Sequence, residues 1–314
     1  MHSFILCAVF AAAPAHAELA YVPNEGTGTI SIIDVKTGKV QETTIPAQGS
    51  LGKKIQGIAF DASGKMLFVA DAVGDVVIAV DTASGKVKKT IPAGESPEGI
   101  QLSPDGKTLA VCAEESNEVV LIDAARLTES GRVKVKGKNP EHCIFSPDGK
   151  WLLASNEESD DVDVIEMAAN KSVASIRTDG HPRGMGFLPD GKTVYIANER
   201  SNTVDVIAVG NWKKVTTISA GTRANGIAVN GDGSRVYVSN GGDGTVSVID
   251  TTANKVIATI PVGKRPWNMA LSSDGDKLYV ANGRSDSVSV IDTKSNEVIQ
   301  TIAVGKLPWG VVIR

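Results

Sequence analysis

The chain has 314 residues, of which 42% are hydrophobic and 22% charged, and its formal net charge at pH 7 is −4. This balance is typical of a globular protein with enough apolar material for a core. A mildly acidic chain is a poor partner for the phosphate backbone of nucleic acids, so we expect no nucleic-acid binding.

The first seventeen residues predict a secretion signal. An apolar run from Phe4 to Ala13 is followed by Ala15-His16-Ala17, a small-x-small pattern that signal peptidase accepts. We therefore expect a signal peptide over residues 1–17, cleavage before Glu18, and a periplasmic or secreted domain over residues 18–314. The alternative is a buried N-terminal strand or helix. The apolar run is shorter than the roughly 20 residues that cross a bilayer, so we expect no membrane span.

The rest of the chain is built from repeats. Each repeat opens on an apolar segment and continues through three alternating apolar runs, which predicts four short strands separated by turns. Turn sequences such as Ser-Pro-Asp-Gly-Lys at 103–107 place Pro and Gly where a tight hairpin needs them. A period near 42 residues with four strands per unit is typical of a β-propeller blade. Five of the opening segments begin at Pro97, Pro140, Pro182, Ala224 and Pro266.

The repeat count predicts how the ring closes. A sixth complete unit begins near Ile55, and residues 20–49 supply the second, third and fourth strands of one more unit. Its missing first strand is repeated at Pro308–Arg314. We therefore predict an all-β, seven-bladed β-propeller of four-stranded antiparallel blades, closed by a blade that the N- and C-terminal segments share.

Four of the second strands end in a shared motif, which reads YVPN (21–24), YIAN (195–198), YVSN (237–240) and YVAN (279–282). These motifs resemble the YVTN-type β-propeller repeat of secreted and surface proteins, over essentially the whole mature chain. The overall design is also similar to periplasmic β-propellers that accompany PQQ-dependent (quinoprotein) alcohol oxidation. That resemblance implies an accessory, non-enzymatic protein.

The resemblance supplies the functional expectation. We expect a monomeric periplasmic binding or scaffold protein, accessory to a quinoprotein oxidation system. Its partner would be a periplasmic protein, such as a quinoprotein dehydrogenase or cytochrome, or an anionic small molecule. PQQ or another anionic cofactor is the expected bound ligand.

Alignment of the repeats places a set of side chains at one end of the central channel. Loops between successive blades share a face with loops between second and third strands, so residues at equivalent positions form rings. One position favours Gly but holds His142 and Asn268 in two blades. The alternative to a binding role for His142 is a channel histidine that is only solvated by water. The alternative to a binding role for Trp267 and Trp309 is packing of the blade junction. The predicted binding residues are Glu98, Glu141, His142, Arg183, Arg223, Asn225, Arg265, Trp267, Asn268 and Trp309.

Charge on this face is predicted to be uneven. Acidic residues such as Glu114 and Glu157 fall in two consecutive blades, and arginines and lysines fall in the next three. We interpret this as a dipolar docking surface for a protein, or as a pocket in which Arg183, Arg223 and Arg265 grip an anion beside the Trp side chains. The alternative is a solvated rim that only maintains solubility.

The sequence carries no catalytic signature. It contains no CxxCH, no GxSxG, no glycine-rich phosphate loop and no histidine cluster, so we predict no enzyme activity and no metal site. The alternative is a redox enzyme subunit, or a haem-d-type propeller that uses His142 and His181. Cys112 and Cys143 either pair or remain buried thiols. A ring of Asn at the second-strand ends is interpreted as structural.

Overall fold

A computed structural model of the chain describes residues 17–41, 44–46 and 49–314, so the predicted signal peptide lies almost entirely outside the described residues. Every helix or strand within these ranges is a β-strand, and none of their segments is a helix that could cross a membrane. The strands, in chain order, are β1 (Leu19–Asn24), β2 (Thr29–Asp34), β3 (Ile55–Phe60), β4 (Met66–Asp71), β5 (Val76–Asp81), β6 (Val87–Pro92), β7 (Pro97–Leu102), β8 (Thr108–Ala113), β9 (Glu118–Asp123), β10 (Thr128–Lys134), β11 (Pro140–Phe145), β12 (Trp151–Asn156), β13 (Asp161–Glu166), β14 (Lys171–Arg177), β15 (Pro182–Phe187), β16 (Thr193–Asn198), β17 (Thr203–Ala208), β18 (Lys213–Ser219), β19 (Ala224–Val229), β20 (Arg235–Asn240), β21 (Thr245–Asp250), β22 (Lys255–Pro261), β23 (Pro266–Leu271), β24 (Lys277–Asn282), β25 (Ser287–Asp292), β26 (Glu297–Ala303) and β27 (Val312–Ile313).

Strands β3 to β26 form six four-stranded antiparallel sheets in which neighbouring strands follow chain order. We number these sheets blades 2 to 7, from β3–β6 to β23–β26. The first strand of each blade packs against the first strand of the next, which places these strands innermost, around the channel. The predicted seven-bladed all-β propeller is confirmed.

Blade 1 closes the ring. It contains β2, β1 and β27 in that order, so the C-terminal segment supplies its innermost strand, as the repeat count predicts. Leu19 and Arg314 exchange both backbone hydrogen bonds, at 2.6 and 2.8 Å. Where the fourth strand is predicted, the described residues form two isolated bridges, which pair Val40 with Ile33 and Ile45 with Ile30.

The hairpin turns between first and second strands have the backbone that their sequence predicts. The glycine of each turn has a φ between 68° and 74°, a region that side chains disfavour. In three of these turns, Ser103, Ser146 and Ser272 also donate to the aspartates two residues later. The glycines are Gly64, Gly106, Gly149, Gly191, Gly233 and Gly275.

The apolar core lies between adjacent blades. One cluster joins Phe68 of blade 2 to Leu109 of blade 3, and another joins Ala110 of blade 3 to Leu152 of blade 4. Cys112 and Cys143 lie in the second of these clusters and are both buried free thiols. Burial, with Cys143 beside it, raises the pKa of Cys112 well above its usual value.

The asparagines at the second-strand ends serve the structure. Asn240 donates to Thr245 and Ser247, and its amide oxygen accepts from the backbone of Gly221. Asn282 makes the same set of contacts in the next blade. The amide therefore links a strand end to the neighbouring loop, which is the role interpreted from the sequence.

Candidate functional site

The channel opens on one face into a cavity of about 340 Å³. Nine of the ten predicted binding residues line it, and Arg223 lies beside them at the rim. Their side chains come from loops and strand starts of every blade, which the repeat brings to one place. We call this space the mouth cavity. Its lining is Glu25, Lys54, Gln56, Glu98, Glu114, Glu141, His142, Glu157, Arg183, Asn225, Arg265, Trp267, Asn268 and Trp309.

The backbones crowd together where the repeat favours glycine. A Cβ added at Gly99 would lie 2.5 Å from the carbonyl oxygen of Glu141, and one at Gly184 would lie 2.6 Å from that of Asn225. Glycine at this position therefore allows the inner strands to approach each other. The two exceptions, His142 and Asn268, point into the space that the glycines leave.

His142, Asn268 and Trp309 form the floor of the mouth cavity. The rings of His142 and Trp309 stack with centroids 5.6 Å apart and an interplanar angle of 15°. The same three residues also line a second cavity of about 230 Å³ deeper in the channel, so they separate the two spaces. Burial lowers the pKa of His142, although the charge of Glu98 opposes this, and the neutral imidazole is therefore favoured.

The carboxylate of Glu199 accepts hydrogen bonds from three guanidinium groups. Its Oε2 accepts from Nε of Arg183 at 2.6 Å, and its Oε1 accepts from Arg223 at 2.6 Å and Arg265 at 3.1 Å. Burial alone would raise the pKa of Glu199. The charge of Arg183, hydrogen bonds from Arg223 and Arg183, and the charge of Arg265 lower this pKa to about 2. Glu199 is therefore fully ionised at neutral pH.

Arg183 extends this network across the cavity. Its Nη1 contacts the carboxylates of Glu141 and Glu157. His181 pairs with Glu157 at 2.6 Å, and this hydrogen bond raises the pKa of His181. The guanidinium of Arg183 thus bridges three carboxylates.

The opposite wall is acidic. Burial and the nearby charge of Glu98 raise the pKa of Glu114 to about 8. Glu98 is 7% exposed, and its carboxyl group lies against that of Glu114. Gln56 beside it is 4% exposed, and its Oε1 has no partner in that same part of the chain. This wall therefore brings buried carboxyl groups close together beside an amide oxygen without a partner.

Arg265 forms the basic wall together with Trp267. Its side chain is 11% exposed, and its Nε and Nη1 find no acceptor among the residues that the structure describes. The indole of Trp267 packs against Gly283, where a Cβ would come within 2.4 Å of the ring. Arg265 thus holds two buried N–H groups that have no acceptor among the described residues.

The structure changes the predicted charge distribution in one respect. The two charged halves meet at the mouth, because Arg183 of blade 5 contacts the carboxylates of Glu141 and Glu157 in blade 4. The carboxylate of Glu199, in turn, lies within the basic half. Arg183 contacts carboxylates through its Nε and Nη1, and its part in the predicted grip of three arginines on an anion stays a prediction. Arg265 keeps free donors, and Arg223 is half exposed beyond its contact with Glu199.

Sequence reasoning missed Glu25 and Glu199 as members of the site. A signal was present, because the residue after each second-strand end is glutamate in four of the seven blades. Reading that position beside the predicted ring would have found the acidic lining. The position holds Glu25, Ala72, Glu114, Glu157, Glu199, Gly241 and Gly283.

Fold and site together define a closed seven-bladed β-propeller with a charged cavity at one end of its channel. The chain belongs to the YNCE-like β-propeller family, whose model matches residues 6–313. No curated protein sequence matches it. The expected membership in a β-propeller repeat family is thereby confirmed, and the association with PQQ-dependent oxidation stays a prediction.

Solved structures with the same fold have varied functions. Hydrazine synthase of Kuenenia stuttgartiensis is 24% identical, with a TM-score of 0.78 over 87% of this chain and 92% of that one. The periplasmic gluconolactonase PpgL of Pseudomonas aeruginosa is 22% identical, with a TM-score of 0.77 over 94% and 98%. The dihydro-haem d1 dehydrogenase NirN, in complex with DHE, is 19% identical, with a TM-score of 0.71 over 94% and 74%. At these identities the likeness shows the fold alone.

Proposed function

We propose that the protein is a non-enzymatic binding protein that captures a small anionic ligand in the mouth cavity. The observation that carries this proposal is Arg265, a buried cation with two N–H groups that no described residue accepts. A buried donor without an acceptor is costly, and a carboxylate ligand that accepts both bonds removes that cost.

The surroundings of Arg265 fit a small molecule. The cavity volume of about 340 Å³ lies within the range of small-molecule sites. Trp267 and Asn225 line the cavity with Arg265 and offer an aromatic surface and an amide. Glu199 carries one negative charge against Arg223 and Arg265, which leaves this wall with a surplus positive charge.

The resemblance to propellers of PQQ-dependent alcohol oxidation supplies the first ligand to test. PQQ is a planar quinone with carboxylate groups, so it combines negative charge for Arg265 with a flat ring for Trp267. With the predicted signal peptide, the proposed setting is the periplasm. There the protein would serve as an accessory or scaffold to a quinoprotein dehydrogenase or a cytochrome.

Isothermal titration with PQQ, and separately with gluconate, tests the site in buffer that contains EDTA. We expect the wild type to bind at least one of these anions at one site per chain. Arg265→Gln should weaken that binding at least tenfold, about 1.4 kcal/mol, because it removes the charge and the paired donors. Arg284→Gln is the matched control, since Arg284 is an exposed arginine on the same face. Equal affinity in wild type and Arg265→Gln contradicts the proposal, as does the absence of binding to either anion.

A haem-binding function is the second candidate, because both ring nitrogens of the buried His142 are without partners among the described residues. His181, the other histidine of that hypothesis, is already paired with Glu157. Titration with haemin should leave the Soret band of free haemin unshifted. A shift that His142→Ala abolishes would replace the proposed function with haem binding. If the protein hydrolyses gluconolactone faster than buffer alone does, that result would contradict the proposal that the protein is not an enzyme.

A further inference from the structure

The third residue of most second strands fills the junction between two blades. It is aromatic in five of the seven blades, and each ring lies in the apolar cluster that joins its own blade to the next. All five side chains are buried. An aromatic ring at this position is therefore a regular part of the core between blades. The five residues are Tyr21, Phe68, Tyr195, Tyr237 and Tyr279.

In two of these blades the ring carries a hydroxyl group that contacts the outer turn of the next blade. The hydroxyl of Tyr195 donates to the amide oxygen of Asn254 at 2.7 Å, and Asn254 lies in the turn between β21 and β22. The hydroxyl of Tyr279 donates to the carbonyl oxygen of Val35 at 3.0 Å, in the corresponding turn of blade 1. These junctions therefore combine a packed ring with one hydrogen bond to the next blade.

Blade 3 differs from this pattern, because its residue at the same position is Ala110. A cavity of about 610 Å³ opens between blades 3 and 4, at the end of the blades that carries the hairpin turns and lies opposite the mouth cavity. We call it the junction cavity. Leu121, Phe145 and Met167 form its apolar lining, and Ala110 belongs to the same apolar cluster. The side chain that is aromatic in most blades is thus shortened to a methyl group beside a cavity.

The acceptor for a phenolic hydroxyl is present at this junction. Asn170 and Asn254 both stand just before the fourth strand of their blades, with φ of 47° and 49°. Asn254 is partly covered where Tyr195 contacts it, whereas Asn170 is exposed and lines the junction cavity. The amide is therefore in place although Ala110 has no hydroxyl to offer it.

The side chains around Ala110 leave room for the missing ring. In the junction between blades 1 and 2, the rings of Tyr21 and Phe60 pack together with centroids 4.9 Å apart. Phe145 ends β11 as Phe60 ends β3, so a phenylalanine at this place is compatible with a tyrosine ring beside it. Tyr21 pairs with Ile32 in blade 1, and the isomeric Leu121 takes that place in blade 3. These neighbours therefore do not compensate for the alanine.

The other blade without an aromatic residue at this position is compensated. Blade 4 has Leu153 there, and Trp151 and Trp212 pack edge to face at the same junction, with centroids 5.5 Å apart. In the cluster between blades 3 and 4, as far as the structure describes it, Phe145 is the only aromatic side chain. The missing ring is thus peculiar to the junction that carries the cavity.

We propose that the junction cavity binds a monocyclic phenol, whose ring takes the place of the missing tyrosine ring and whose hydroxyl donates to Asn170. Apolar space left where a large core side chain is missing can hold a small aromatic molecule, because the ligand restores the lost packing contacts. p-Cresol is the side chain of tyrosine as a free molecule, and it is therefore the first ligand to test. This site goes beyond the proposed anion site and does not depend on it.

Calorimetric titration of the full chain with p-cresol tests the site. We expect one molecule to bind per chain. Ala110→Tyr supplies the ring covalently, so it should weaken p-cresol binding by about tenfold or more. The same variant should melt at a higher temperature than wild type, because it fills the cavity. Absence of p-cresol binding by the wild type, or wild-type affinity in Ala110→Tyr, overturns the proposal.

A second variant tests the hydrogen bond and does not depend on the fit of a larger side chain. Asn170→Gly removes the amide in an exposed turn whose positive φ suits glycine. We expect about fivefold weaker binding of p-cresol, the effect of one hydrogen bond, and an affinity for toluene within about twofold of wild type. Asn296→Gly, which changes the corresponding asparagine of blade 7, is the matched control and should keep the wild-type affinity for p-cresol. Wild-type affinity for p-cresol in Asn170→Gly contradicts the proposed binding mode.

Discussion

Replacing Glu199 with Gln should lower the free energy of unfolding at pH 7 by about 3 kcal/mol. Glu199 is buried, and its carboxylate is the shared acceptor of Arg183, Arg223 and Arg265. The neutral amide keeps the size of the side chain but leaves three guanidinium groups without their common counter-charge. Loss of one partner from a buried ion pair is among the most destabilising changes known in proteins.

The pH dependence of this effect follows from the pKa of Glu199. Its pKa in the folded protein is about 2, below its ordinary value of 4.5. The unfolded state therefore binds more protons between these values, and the stabilisation by Glu199 is complete above about pH 4.5. It is lost as the pH falls towards 2. The stability difference between wild type and Glu199→Gln should close over the same interval.

Urea unfolding of wild type and Glu199→Gln at several pH values measures this difference. Glu158→Gln is the control, because Glu158 is an exposed glutamate on the same face, and its effect should stay within about 0.5 kcal/mol. A variant as stable as wild type at pH 7 would show that the three arginines do not depend on Glu199. A stability difference that persists unchanged at pH 2.5 would show that the stabilisation does not come from the ionised carboxylate of Glu199.

The fold could be predicted from the sequence because its information is local and repeated. The repeat period, the alternation of apolar residues and the turn residues recur along the chain. The strands of an irregular blade can therefore be predicted by comparison with the other blades. Blade 2 is an example, because Asp61–Lys65 replaces Ser-Pro-Asp-Gly-Lys there. The closing strand at Pro308–Arg314 is found by the same comparison.

The position of the site was predicted from the sequence, but the ion pairs between its residues were not. Aligned repeats give the height of each side chain along the channel, which is why nine of the ten predicted residues line one cavity. They do not give the direction in which a long side chain extends across the channel. Arg183 and Glu199 both belong to blade 5, yet Arg183 reaches Glu141 of blade 4 and Glu199 reaches Arg265, which precedes blade 7. Ion pairs between blades can therefore be identified only from the structure.

Deleting Pro308–Arg314 should be the most destabilising of the changes considered, because this segment contributes to closure and to the site at once. Its backbone pairs with β1 at Leu19, and the Trp309 amide donates to Pro23 at 3.0 Å. Deletion would expose the edge of β1 and leave blade 1 without its innermost strand. It would also remove the buried Trp309 from beneath the mouth cavity, a change that alone typically costs about 3 to 5 kcal/mol.

Together with the lost backbone hydrogen bonds, the expected loss is at least about 5 kcal/mol, which lowers the melting temperature by about 10 °C or more in a domain of this size. Arg314→Ala is the matched control. It removes only the contact of Arg314 with the ring of Phe60, at 5.9 Å, and two hydrogen bonds to the carbonyls of Asp61 and Ala62. Because those contacts are exposed, its effect should stay below about 1 kcal/mol. A truncated protein that melts at the wild-type temperature would mean that the ring does not depend on its shared blade.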